Sequence, residues 1–220
     1  MATRPEPEPA RLAARLYLVV PPVDDASALV GELDRALSEG DVAAVLLRLP
    51  EANESALIQY VETIAPALQR KGIAVLLDGH AELVARSGAD GAHLTGIAAF
   101  TAAVAGLKPE RIAGAGGLAT RHDAMLAAEG GADYVMFGEP ISAADDRPPF
   151  AAVVERIAWW AEVFESPCVG YAESLDEAVA LAAAGADFVA LGSFVFTDSR
   201  GPAAVIRAAA ERLSAAEAVK

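Results

Sequence analysis

The chain has 220 residues, 54% of them hydrophobic and 22% charged, with 31 acidic against 17 basic side chains for a formal net charge of −14. That balance is too apolar for a disordered chain and has the wrong sign for neutralising nucleic-acid phosphates or an anionic membrane surface. A small phosphorylated ligand stays admissible, because backbone N–H groups at strand ends and helix N-termini bind phosphate whatever the net charge.

Residues 1–12 carry Pro5, Pro7 and Pro9 among Glu6 and Glu8 and no apolar signal core, and read as a disordered, solvated tail. Residues 13–220 read as one domain. Its first strand is expected over 16–20, a helix over 29–37, a strand over 42–49 and a helix over 55–69. A strand over 73–78 and a short helix over 81–85 follow, then a strand over 91–94 and a helix over 100–107. The second half continues with strands over 111–115, 134–138, 167–170 and 188–192. Helices are expected over 123–129, 150–164 and 176–184, and a last one over 202–216 closes the count.

Three of these transitions repeat one grammar, an Ala-rich helical run, then Gly-Ala-Asp, then a short apolar strand, at Gly88-Ala89-Asp90, Gly131-Ala132-Asp133 and Gly185-Ala186-Asp187. Each glycine suits the left-handed residue that ends a helix, and each aspartate can tie down the turn into the strand. The strands are continuous apolar runs without alternation, as parallel strands covered on both faces are. Eight strands alternating with helices predict the α/β class and a single (β/α)8 TIM barrel, with a doubly wound open sheet as the rival architecture.

Functional side chains of such barrels lie at the C-terminal strand ends. The candidates there are Arg48, Asp78, His80, His93, Glu139 and Gly192-Ser193. Arg48 reads either as a ligand contact or as half of a structural salt bridge, and His93 either as a site residue or as a hydrogen-bonded core histidine. Asp78, a carboxylate at the mouth of an apolar pocket, suits metal binding or proton transfer. His80 reads as a helix cap or a solvent-facing residue, and His122 as surface. Trp159 and Trp160 suit packing or an oligomer contact, and a homodimer is one expected assembly. Cys168, the one cysteine, reads as a small buried hydrophobe; with no disulfide possible within the chain, a reducing cytoplasm is the expected compartment.

The segments Leu16-Tyr17-Leu18-Val19-Val20, Leu47-Arg48, Gly88-Ala89-Asp90-Gly91-Ala92-His93-Leu94 and Gly131-Ala132-Asp133-Tyr134-Val135-Met136-Phe137-Gly138 stand in an order that resembles thiamine phosphate synthase and the related thiazole tautomerase branch. The likeness spans residues 16 to about 196. It implies a transferase of thiamine biosynthesis that joins hydroxymethylpyrimidine diphosphate to thiazole phosphate, using magnesium. By that resemblance Arg48 faces the pyrimidine diphosphate, Asp78 takes the strand-three asparagine slot and helps hold Mg²⁺, and His93 is the strand-four histidine. Glu139, Gly170, Gly192 and Ser193 fall where substrate is bound.

The chain also departs from the family pattern. Pro50 stands where a lysine would, and Gly79 where a magnesium-binding aspartate would. The acidic ligand expected after His93 is missing from Thr95-Gly96-Ile97-Ala98. Residues 139–146 offer Glu139, Asp145 and Asp146 in place of a phosphate-gripping Thr-x-Thr-Lys. Gly114-Ala115-Gly116-Gly117-Leu118 replaces a strand-five serine and histidine, and Tyr171 interrupts a two-glycine turn. A catalytically degenerate barrel that binds a small phosphorylated ligand or a protein partner is therefore the alternative expectation.

Overall fold

The computed structural model describes residues 13–139 and 147–217; the Pro/Glu tail and the acids Asp145 and Asp146 lie outside them. Eight parallel strands close in sequence order into a barrel: β1 (Arg15–Val20), β2 (Val42–Leu47), β3 (Ala74–Asp78), β4 (Gly91–Thr95), β5 (Ile112–Gly116), β6 (Tyr134–Phe137), β7 (Cys168–Ala172) and β8 (Phe188–Leu191). The last strand pairs with the first, Leu16 opposite Val189, so the sheet has no free edge and the doubly wound rival is set aside.

Helices α1 (Ala26–Ala36), α2 (Glu54–Gln69), α3 (Ala81–Ser87), α4 (Ile97–Leu107), α5 (Arg121–Glu129), α6 (Phe150–Val163) and α7 (Leu175–Ala184) alternate with the strands. A short turn of helix, α8 (Phe194–Thr197), precedes the closing helix α9 (Pro202–Glu217). Local chemistry sets the helix starts: Asp25, Asn53 and Ser174 each accept a backbone N–H three residues on, and Thr120 forms a reciprocal capping box with Asp123. No described helix is long and apolar enough to cross a membrane.

The Gly-Ala-Asp repeat is a stitch across the bottom of the barrel. Gly88, Gly131 and Gly185 all take positive φ (75°, 95° and 103°), as a chain leaving a helix requires. The aspartate that follows grips the neighbouring strand at two points. Asp90 donates its N–H to the Val75 carbonyl and accepts the Val75 N–H on its carboxylate; Asp133 does the same to Ala113, and Asp187 to Cys168. Each fixes strand register at the start of the ladder. Asp187→Ala leaves the N–H of fully buried Cys168 without this acceptor and is expected to cost about 1–3 kcal/mol, read from urea unfolding. A loss indistinguishable from that of an exposed Asp→Ala change would refute the stitch.

Two apolar layers result. The larger lies between sheet and helices and includes Leu18, Val45, Ile64, Leu77, Phe100, Ile157 and Trp160. The smaller fills the barrel interior with Tyr17, Val19, Leu46, Leu76, Tyr134, Met136, Val169 and Tyr171. Three tyrosines inside a barrel bring hydroxyl groups into a space otherwise lined by hydrocarbon, and those hydroxyls need partners.

Candidate active site

Bulky inward residues on β4 and β6 fit because β5 carries Gly114 and Gly116. A Cβ on Gly114 would lie 2.1 Å from the Tyr134 ring, and one on Gly116 would lie 1.8 Å from Glu139 Oε1 and 2.5 Å from His93 Nε2. Through that gap runs a buried polar chain. Glu139 Oε2 holds His93 Nε2 at 2.9 Å, His93 Nδ1 meets Tyr134 Oη at 2.9 Å, and Tyr134 Oη meets Tyr17 Oη at 2.9 Å. His93 is 1% exposed and Glu139 7%, and the second glutamate oxygen, Oε1, has no hydrogen-bond partner among the described residues. The bland reading of His93 as a hydrogen-bonded core histidine fits this geometry.

Burial is the largest single influence on the His93 pKa and pulls it down. The charge and hydrogen bond of Glu139, together with the charge of Asp78, outweigh burial and the opposing charge of Arg48, so the imidazole titrates above its ordinary 6.5. A group whose pKa is higher in the folded chain stabilises fully below its unfolded pKa and loses that contribution as pH rises through the folded value. Wild type is accordingly expected to exceed His93→Gln in stability by a margin that shrinks as pH is raised from about 6.5, measured by urea midpoints. A margin that widens with pH would contradict the pairing. Burial likewise pushes the Tyr17 and Tyr134 phenols up, so both stay neutral donors and acceptors.

Arg48 sits just past β2 and Asp78 ends β3, on neighbouring strands. Arg48 Nε donates to Asp78 Oδ2 at 3.0 Å, with both side chains partly exposed. Among the described residues no hydrogen bond engages either Nη of Arg48, so the guanidinium is aimed by Asp78 while its outer edge stays available. Asp78 and His93 are register partners across β3 and β4, which places this ion pair beside the buried chain.

The other predicted positions are distributed differently. Gly170 faces outward, where a Cβ would meet Leu181 of α7 at 3.0 Å. Gly192 lies under the Tyr171 phenol, and Ser193 is exposed just beyond β8. His80 precedes α3 without capping it and contacts Glu82 at 3.2 Å; His122 is exposed on α5. Trp160 is fully buried and stacked on Phe164, and Trp159 lies under the Arg121 guanidinium.

Residues whose roles were missed in the sequence are Tyr17, Tyr134 and Arg147, while Tyr171 and Gly116 stood out only as departures from the family pattern. Arg147 binds the Gly138 carbonyl (2.7 Å), the Tyr171 carbonyl and Glu177 (2.7 Å), with Glu173 at 3.4 Å, and so ties β6 to β7.

Residues 16–195 match the family model described as thiamine monophosphate synthase, which covers the barrel from β1 through β8. The chain belongs to that family. It is 38% identical to the thiamine-phosphate synthase of Rhodospirillum centenum, over 87% of this chain and 94% of that one. It is also 38% identical to the thiamine-phosphate synthase of Hyphomonas neptunium, over 90% and 93%. In fold it is similar to the thiamine phosphate pyrophosphorylase from Pyrococcus furiosus, with a TM-score of 0.73 at 20% identity over 92% and 96% of the two chains.

The family's chemistry implies Mg²⁺, which prefers octahedral oxygen ligands and takes one or two carboxylates beside substrate phosphates. Among the described residues no three His, Cys, Asp or Glu side chains gather closely enough to share a metal ion. Asp78 has already given one oxygen to Arg48, and His93 has given Nε2 to Glu139. Among the described residues this donor set does not fit a resident Mg²⁺.

Proposed function

We propose that this member of the thiamine monophosphate synthase family binds hydroxymethylpyrimidine diphosphate at the mouth of the barrel and transfers its pyrimidinylmethyl group to a thiazole nitrogen. The supporting observation is Arg48, held by Asp78 through Nε with its Nη edge open at the end of β2. A guanidinium positioned in this way presents a preorganised two-pronged donor to a diphosphate oxygen pair.

In the reaction the bond between the methylene carbon and the diphosphate oxygen breaks, and the diphosphate leaves with the electron pair. The thiazole nitrogen lone pair then forms the new C–N bond. Arg48 offsets the negative charge that grows on the leaving oxygens, and Asp78 is its positioning residue. His93 is too buried to touch substrate; with Glu139, Tyr134 and Tyr17 it holds β1, β4 and β6 in place under the mouth.

A second reading, ligand binding without turnover, is favoured by the Asp78 oxygen committed to Arg48 and by the lack of a three-donor cluster among the described residues. Incubation of the full chain with both family substrates, with and without Mg²⁺, separates the two when followed by chromatography. Thiamine phosphate, together with released diphosphate, is the expected result. Diphosphate-ester binding without product would establish the second reading instead.

A further inference from the structure

Strand alternation sets the floor of the barrel mouth, and β6 departs from it. Tyr134 and Met136 point into the barrel, so unbroken alternation would turn residue 139 toward the helices. Gly138 instead takes φ = 91°, and a Cβ there would meet Val153 of α6 at 2.7 Å. The chain turns over at this left-handed glycine and carries Glu139 inward.

The Glu139 carboxylate ends in the slot of a missing β5 side chain, with Oε1 only 1.8 Å from where a Gly116 Cβ would stand. Gly116 closes β5 and its register partner Thr95 closes β4, so Oε1 lies at the C-terminal strand ends where barrels of this kind place their chemistry. Oε2 is fixed by His93, whereas Oε1 has no partner among the described residues. A buried carboxylate oxygen left in this way calls for a donor. The neighbouring groups are already engaged: the Tyr134 hydroxyl with Tyr17 and His93 Nδ1, and Arg48 Nε with Asp78. The charges of Arg48, Asp78 and Glu139 all reach the one His93 imidazole, so the open fork of Arg48 and the orphan oxygen share one small mouth.

We propose that Glu139 Oε1 accepts an N–H from an exocyclic amino group on the ligand's ring, so that the site selects an aminopyrimidine over a ring without that donor. This rests on the proposed function, whose hydroxymethylpyrimidine is a 4-aminopyrimidine with the amino group on the carbon next to the one that bears the reacting methylene. When the bond from the methylene carbon to the diphosphate oxygen breaks, the diphosphate takes the electron pair, and the positive charge left on the pyrimidinylmethyl group is shared by the amino nitrogen. A carboxylate bonded to that nitrogen attracts it more strongly as the charge grows, while Arg48 meets the opposite charge on the leaving group. Glu139 is thus a catalytic and specificity-determining residue: Oε2 holds His93 and Oε1 touches substrate.

The test titrates the full chain and Glu139→Gln by calorimetry with the 4-amino ring and its 4-methyl isostere, each as the free alcohol and as the diphosphate. Turnover of the diphosphates with thiazole phosphate is followed in the same samples, with and without Mg²⁺. Wild type is expected to bind the amino ring at least about tenfold more tightly, because the isostere leaves the buried oxygen unpaired. Glu139→Gln keeps an acceptor for His93 but sets an amide N–H against the amino group, so the preference should fall by at least about tenfold. Its kcat on the amino diphosphate should drop by about 10–100-fold, with KM changed less.

Equal binding of the two rings by wild type, or the same preference in both chains, overturns the assignment. The first comparison needs no variant and decides even if Glu139→Gln fails to fold. An amino preference among the alcohols without turnover of the diphosphate removes the transfer reaction and leaves the role of Glu139. Turnover without an amino preference does the reverse, and no binding of either ring by wild type removes both.

Discussion

Replacing His93 with alanine is expected to cost about 3–5 kcal/mol of folding stability at neutral pH, because it strands the Glu139 carboxylate in a buried site with neither oxygen partnered. The loss should fall well below that in the double variant His93→Leu/Glu139→Leu, which removes both polar groups together. A coupling of this sign is what an ion pair out of water produces: breaking it is expensive and replacing it by hydrocarbon is not. Urea unfolding at pH 7 of wild type, His93→Leu, Glu139→Leu and the double variant gives the cycle. A cost below about 1 kcal/mol for His93→Ala would mean that solvent reaches Glu139 and that the buried chain does not hold the strands.

Gly91→Ala is the second severe change. A Cβ at this position would lie 2.1 Å from the Ile112 carbonyl oxygen and 2.6 Å from its Cβ, across the β4–β5 ladder, where Gly91 and Ile112 are register partners. The obstacle is backbone, so no rotamer change relieves it, and the strands must part. The expected loss is about 3 kcal/mol or more, at the upper end of what overpacking costs. Gly106→Ala is the control. It lies in α4 with nothing within 4 Å and no positive φ, and is expected to stabilise by roughly 0.5–1 kcal/mol. Equal thermal midpoints for the two variants would contradict the ladder contact.

The barrel was legible because its grammar is local. Gly-Ala-Asp marks a helix end and a strand start within three residues, and the structure puts the same two-point aspartate grip at Asp90, Asp133 and Asp187. Strand ends were less legible. β2 stops at Leu47, which leaves Arg48 beyond the ladder, and β7 runs on to Ala172 because Tyr171 and Ala172 pair with Ala190 and Leu191. A strand predicted to end at Gly170 left Tyr171 in a loop, when in fact it points into the barrel. The four-residue helix α8 is too short to leave a periodic signal.

The site was legible in its parts and not in its connections. Arg48, Asp78, His93 and Glu139 are readable as polar residues at strand ends. Their pairing is not, because the partners are 30 and 46 residues apart and meet only when the barrel closes. Glu139 read as an acid that would repel phosphate; paired to a raised-pKa histidine and 7% exposed, it acts first as an internal counter-ion. The tyrosines passed for ordinary apolar strand residues, since a hydroxyl group on a barrel-facing ring has no sequence signature of its own. Gly116 stood out only as a departure from the family pattern, because what makes it necessary is a glutamate 23 positions away that no local pattern reveals.

The most direct test of the central claim is calorimetric titration of hydroxymethylpyrimidine diphosphate into wild type and Arg48→Ala, each with and without Mg²⁺. Saturable binding to wild type that weakens by about 10–100-fold in Arg48→Ala, as loss of a charge-assisted fork to an anion requires, is the predicted result. Equal binding by both chains, or none by wild type, would show that the mouth between β2 and β3 is not the diphosphate site.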